Sequence, residues 1–161
     1  MDTKKDYPCC VYGSPEMMFR RKEKAESQLH KSVEVVAAVI IKDGRVLATQ
    51  RGTGTFKGWW EFPGGKVEKG ETREEALARE LREELDAVIV IDSYLTTVEH
   101  DYPDFSITMH GYLCRLPDGH FTLREHLDAR WFLPGEFDTV QWLPADIEVL
   151  QTLKKYLSTD R

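Results

Sequence analysis

The chain has 161 residues, is 41% hydrophobic and carries 28 acidic against 22 basic residues for a formal net charge of −6, which suits one domain with a buried core and excludes a protein that coats nucleic-acid phosphates with its own lysines and arginines. Cys9, Cys10 and Cys114 are odd in number, two are adjacent and none has zinc-ligand spacing, so a reducing compartment fits. No apolar run is long enough to span a bilayer and the N-terminus lacks the apolar stretch of a secretory signal, so the expectation is a cytoplasmic protein with no membrane partner.

Residues 1–31 are polar and charged, with Arg20-Arg21-Lys22-Glu23-Lys24 at the centre. They read as a flexible or loosely docked arm in which Ser14-Pro15 can start a short helix with a thin apolar face. The short basic run is interrupted by acids, which disfavours a nucleic-acid contact. The domain proper takes up 32–161. Its apolar, β-branched start from Val33 to Lys42, the Asp43-Gly44 pair and the segment Arg45 to Arg51 predict a hairpin with a tight turn. Glu61-Phe62-Pro63 reads as the end of a strand entering a bent loop marked by Gly64, Gly65 and Gly70.

A helix follows. Thr72 and Glu75 form a capping-box pattern, and Leu77, Leu81 and Leu85 recur every four residues as a buried stripe. Strand-like segments come next, at Val88 to Glu99, Phe105 to Leu116 and Ala129 to Leu133. A last helix over about Ala145 to Leu157 repeats Ile147, Leu150, Leu153 and Leu157. The pattern is α/β, a mixed sheet covered by helices, without internal repeats.

The acidic helix carries the chemistry. Glu80, Glu83 and Glu84 fall at i, i+3 and i+4, so their side chains leave one face. Like charges in that arrangement repel, whereas a set of acceptor-only oxygens facing one point suits a hard divalent cation such as Mg²⁺, with Mn²⁺ as a substitute. Other motifs fail on spacing. The Gly52 to Gly58 run has one residue too many for a dinucleotide fingerprint, and Gly65-Lys66 precedes Val67 where a phosphate loop needs Ser or Thr. No His-x-x-x-His pair and no Gly-x-Ser-x-Gly elbow is present, which disfavours zinc-type and serine-type hydrolysis.

The order Gly65, five residues, Glu71, seven residues, Arg79-Glu80-Leu81, one residue, Glu83-Glu84 resembles the signature of the Nudix hydrolases, and Trp60-Glu61-Phe62-Pro63-Gly64-Gly65-Lys66 resembles their MutT-like branch. One position departs from it: Asp86 stands where the family has glycine, at a helix end where Asp tolerates the left-handed conformation. The resemblance implies an α/β/α sandwich with a mixed central sheet over roughly residues 33–157. It also implies a Mg²⁺ shell of Glu80, Glu83 and Glu84 with the Gly64 carbonyl, an Arg79 that orients a metal-bound glutamate, and a Glu71 that supports the arginine. A further glutamate, as metal ligand or general base, is expected downstream; Glu125, six residues before Trp131, is the candidate against an ordinary loop carboxylate.

By the same resemblance Arg51 approaches phosphates or base, Asp104 lines the pocket, and Asp146 faces the base edge unless it only caps the last helix. Asp146 is expected to be ionised and so to prefer bases offering N–H donors. Phe62 or Phe105 supplies a stacking face, with a core position as the alternative for Phe62. The implied activity is conversion of a nucleoside triphosphate, 8-oxo-dGTP or a CTP-like nucleotide, to monophosphate and pyrophosphate for nucleotide-pool sanitation. The alternatives are an ADP-ribose or dinucleotide pyrophosphatase, or a non-catalytic nucleotide sensor. The partner is thus a nucleotide, and the sequence specifies no oligomeric state.

Overall fold

The computed structural model describes residues 31–160; the expected arm up to residue 30 and its Ser14 helix lie outside the described residues, and Lys31, expected as the arm's last residue, opens the first strand. The elements run β1 Lys31–Lys42, β2 Arg45–Gln50, β3 Trp60–Glu61, β4 Gly64–Lys66, α1 Arg73–Leu85, β5 Val90–Asp101, β6 Phe105–Arg115, β7 Asp128–Phe132, a 3₁₀ turn Pro134–Thr139 and α2 Pro144–Thr159. Asp43 and Gly44, at φ 50° and 71°, turn β1 into β2, with Lys42 opposite Arg45. Positive φ at both central residues gives the twist that joins adjacent antiparallel strands.

The main sheet path is β3-β2-β1-β6-β5, with β4 paired to β1 and β7 to β2. The strand pairs β1–β2, β1–β4, β2–β3, β2–β7 and β5–β6 are antiparallel, and a parallel bridge joins Trp60 to Trp142. β1 is apolar on both faces because both are covered. Its alternating side chains divide cleanly: Ala37 and Val39 join the core beneath α2, with Val149, Leu150 and Leu153, while Val36, Ala38 and Ile40 join the core beneath α1, with Leu77, Leu81 and Leu85. This period of two across a sheet packed on both sides makes an α/β/α sandwich.

α1 forms where the leucine stripe places it. Thr72 accepts from the Glu75 N–H at 3.1 Å and Glu75 returns the bond to the Thr72 N–H at 2.8 Å. Leu77, Leu81 and Leu85 are fully buried, each stabilising the helix-on-sheet packing by about 1.5–3 kcal/mol. With the apolar stripe pinned inward, the acidic stripe lies along the end of the sheet where β4 begins. Asp86 ends the helix in the left-handed region, φ 49° and ψ 35°, its N–H bonding the Arg82 carbonyl. Two features had no sequence signal, the pairing of β4 with β1 and the 3₁₀ turn. None of the described helices is long and apolar enough to cross a membrane.

Candidate active site

β4 lies so close to β1 that a Cβ at Gly64 would collide with the Val36 carbonyl, and a Cβ at Gly65 with the Glu80 carboxyl. Glycine at both positions therefore lets the acidic helix rest a carboxylate directly on the strand. Arg79 fixes that carboxylate. Its Nε and Nη2 reach the two oxygens of Glu71 at 2.6 and 3.0 Å, its Nη1 reaches Glu80 Oε1 at 2.9 Å, and Nη2 also bonds the Lys66 carbonyl at 3.0 Å. A planar fork can satisfy this set, and a lysine cannot. The Arg79 guanidinium holds Glu71 below the usual carboxylate range, helped by the Glu68 N–H. Glu80 moves the other way: burial raises it, against the pull of Arg79.

Glu84 is the strained member. Burial, with the charges of Glu80, Glu61 and Glu125, pushes its carboxyl up to about 8. Its Oε2 is buried without a hydrogen-bond partner. Glu83 lies at the exposed edge, with Oε2 3.4 Å from Arg79 Nη1. Glu125 arrives from the chain that crosses the end of α1, where the Thr122 and Arg124 N–H groups bond the Leu85 and Glu84 carbonyls at 2.6 and 3.1 Å. Asp86 adds a 3.2 Å ion pair to Arg124, the residue before Glu125. The Glu125 charge adds to the raising of both Glu80 and Glu84.

These carboxylates fit a divalent cation. The donors are hard oxygens, their charges crowd one another, and a buried oxygen lacks a protein partner. Among the described residues no three carboxylate, imidazole or thiol groups already stand around one point as a closed shell; Arg79 draws Glu80 and Glu83 toward itself.

The residues expected to read substrate fall on the neighbouring elements. Arg51 Nη1 pairs with Glu61 Oε2 at 3.1 Å. Asp146, only 2% exposed, accepts the Phe62 N–H at 2.8 Å. It is not the helix cap: Leu143 is the N-cap of α2 and lends it no side-chain bond. Burial, with the charge of Glu61, pushes the Asp146 carboxyl up to about 8 against the Phe62 bond. A shift in this direction favours the protonated acid at neutral pH, against the ionised state expected from the sequence. Phe62 is buried in the core with its ring 5.3 Å from Trp142. Phe105 is half-buried and stacked on Tyr102 at 4.9 Å. Asp104 stands exposed at the β5–β6 turn.

Sequence reasoning passed over Glu61, His126 and Tyr102. The charge of Glu61 adds to the raising of both Glu84 and Asp146. His126 is nearly buried, its Nε2 3.5 Å from Glu61 and its Nδ1 without a hydrogen-bond partner. A glutamate in the middle of an apolar strand-end was the available signal for Glu61; nothing local marks the other two.

The family model described as "NUDIX domain" matches residues 31–155. A protein of Escherichia coli (strain K12) named CTP pyrophosphohydrolase is 40% identical over 124 residues, 75% of this chain and 90% of its own length. The 8-oxo-dGTP diphosphatase of Proteus vulgaris is 44% identical over 85 residues, 52% of this chain and 76% of that protein. Among solved structures, the E. coli ORF135 protein superposes with a TM-score of 0.71 at 34% identity, covering 81% of this chain and 94% of that one. Because the matched region includes the glycine strand, the acidic helix and both layers that cover the sheet, the chain belongs to the NUDIX family of hydrolases, enzymes that act on acid anhydrides.

Proposed function

We propose that this chain is a Mg²⁺-dependent pyrophosphohydrolase that converts a nucleoside triphosphate, of the 8-oxo-dGTP or CTP/dCTP kind, to nucleoside monophosphate and pyrophosphate. The observation that carries this reading is Glu84: a buried carboxyl with an unpartnered oxygen, beside Glu80 and within the field of Glu61 and Glu125. Such a group is costly unless a cation completes it. Glu80, Glu83, Glu84 and Glu125, with the Gly64 carbonyl, would hold the ion; when bound, Mg²⁺ neutralises phosphate charge and lowers the pKa of the attacking water. Water adds its oxygen to phosphorus while the bridging P–O bond breaks.

Around that centre the chain supplies position. Arg79, set by Glu71, keeps Glu80 over Gly65. Arg51 offers a cation to the phosphates or base, Asp146 faces the base edge, and Phe105, exposed more than Phe62, supplies the stacking face. The names of the E. coli and P. vulgaris relatives point to the same class of substrate. The test is turnover of 8-oxo-dGTP, dGTP, CTP, dCTP, dUTP and ADP-ribose with Mg²⁺. Pyrophosphate should appear, free phosphate only after inorganic pyrophosphatase is added, and EDTA should abolish the reaction. Turnover of ADP-ribose alone, or direct phosphate release, would overturn the assignment.

A further inference from the structure

Five rings that belong to no metal motif form one cluster: Phe56, Trp59, His100, Tyr102 and Phe105. Tyr102 is at their centre. Its ring stacks on Phe105 with centroids 4.9 Å apart, and lies 4.7 Å from His100 and 5.5 Å from Phe56. Its own N–H closes the β5–β6 turn on the Phe105 carbonyl at 2.7 Å. Phe56 in turn meets Trp59 at 5.0 Å, in a loop whose ends are tied by the bond from the Arg51 N–H to the Trp59 carbonyl, 2.8 Å.

The Tyr102 hydroxyl supplies the start of α2 with an acceptor that its N-cap lacks. α2 begins with Leu143 as N-cap and Pro144 at the first turn; leucine has no acceptor and proline no N–H, so Ala145 carries the first free donor of the helix. That N–H donates to the Tyr102 hydroxyl at 3.4 Å, in the buried interior. Asp146 is the next residue. One side chain therefore ties together the β5–β6 turn, the loop that follows Arg51 and the first turn of the helix that carries Asp146.

We propose that Tyr102 is a positioning residue for base recognition, capping α2 from another strand so that Asp146 is held where it meets the base edge. The inference rests on the reading of Asp146 given above. Loss of the hydroxyl leaves the ring packing in place and takes the acceptor from the Ala145 N–H, while the Leu143–Trp60 and Phe62–Asp146 bonds remain, so discrimination falls while the metal centre is untouched.

The test is kcat/KM over 8-oxo-dGTP, dGTP, CTP, dCTP and dUTP at saturating Mg²⁺ for the wild type, Tyr102→Phe, Asp146→Ala and the double variant. Tyr102→Phe should lower the ratio of best to worst substrate by about 5- to 10-fold, mostly through a higher KM for the best one, because the site's donor and acceptor are no longer held in register. Its kcat for the best substrate and its Mg²⁺ activation constant should stay within about twofold of wild type. In the Asp146→Ala background the same change should move the ratio by less than about twofold, since residues acting as one unit are not additive.

A ranking that collapses in Asp146→Ala but not in Tyr102→Phe overturns the role of Tyr102 alone. A uniform fall in kcat/KM for every nucleotide also overturns it, as that is the mark of a merely structural bond. A ranking unmoved by Asp146→Ala removes the base-reading role of Asp146, and the Tyr102 proposal with it, while turnover shows that the hydrolase assignment stands.

Discussion

Replacing Glu84 with glutamine separates the cost of the acidic centre from its use. In the metal-free protein the Glu84 carboxyl is pushed from 4.5 up to about 8. Between those values the folded state keeps a proton that the unfolded chain has released, so the unfolded state binds fewer protons and stability falls as pH rises. Below about pH 4.5 both states are protonated and there is no penalty; above about 8 the penalty is complete. At pH 7 it spans about 2.5 units at about 1.4 kcal/mol each, or about 3–3.5 kcal/mol. Glutamine has no charge to desolvate, but its buried amide is imperfectly bonded at a cost of about 1–2 kcal/mol.

The net expectation for Glu84→Gln in EDTA at pH 7 is therefore a gain of about 1–2 kcal/mol, a melting point about 3–8 °C above wild type for a domain of this size. The gap should widen toward pH 8 and close toward pH 5. Adding Mg²⁺ should reverse the order, because only the wild type completes its shell; the metal must also displace the Glu84 proton, so apparent Mg²⁺ affinity rises with pH up to about 8. Turnover of the variant should fall at least ~10²-fold, the scale of deleting one preorganised electrostatic group. Melting curves with EDTA and with Mg²⁺ across pH 5–9, together with steady-state rates, decide it. A stability difference that does not change with pH, or near wild-type kcat at saturating Mg²⁺, refutes the reasoning.

Gly65→Ala places a methyl group on the Glu80 carboxyl, so it should weaken Mg²⁺ activation at least ~10-fold with far-UV circular dichroism unchanged, the scale of disturbing a group that orients metal ligands; an unaltered Mg²⁺ titration would contradict the geometry. Asp146, protonated below about 8 and faced by Glu61, Arg51 and Tyr102, should give a substrate ranking that shifts as pH is raised through 8, whereas Asp146→Asn, a neutral stand-in for the protonated acid, should keep the neutral-pH ranking at all pH values; a wild-type ranking constant from pH 6.5 to 9 rejects this. Deleting residues 1–30, which offer few large apolar side chains, should leave kcat/KM and melting temperature nearly unchanged; an inactive or insoluble truncation would show that the arm completes the core or the pocket.

The acidic centre was legible because each of its parts is local. A capping box, a four-residue leucine period and carboxylates at i, i+3 and i+4 fix the helix and its two faces before any tertiary contact is known. The left-handed end at Asp86 was legible for the same reason. Its ion pair with Arg124 was not, as no local pattern joins residues that far apart. β4 stayed hidden because Gly64, Gly65 and Lys66 show no alternation, and its place is set by main-chain bonds and by the absence of side chains. Phe62 offered a stacking role with a core position as the alternative; it is buried against Trp142, which a parallel bridge that no period encodes joins to Trp60.

Asp146 shows what local reading misses when charge is involved. The sequence places a carboxylate near the start of a helix, from which an N-cap follows, while the family resemblance implies a base reader, expected to be ionised. In the fold the acid is the third residue inside the helix, it accepts a bond from Phe62, 84 positions back, and it is nearly sealed from water. Burial then changes its proton occupancy, and with it the direction of the hydrogen bond it can offer a base. Glu61 contributes to that shift and to the shift of Glu84, so under the proposed roles the charge state at the base edge and the proton that a metal must displace share a neighbour. Neutralising Glu61 should lower both shifted carboxyls together, which makes nucleotide preference and Mg²⁺ affinity properties of one electrostatic system.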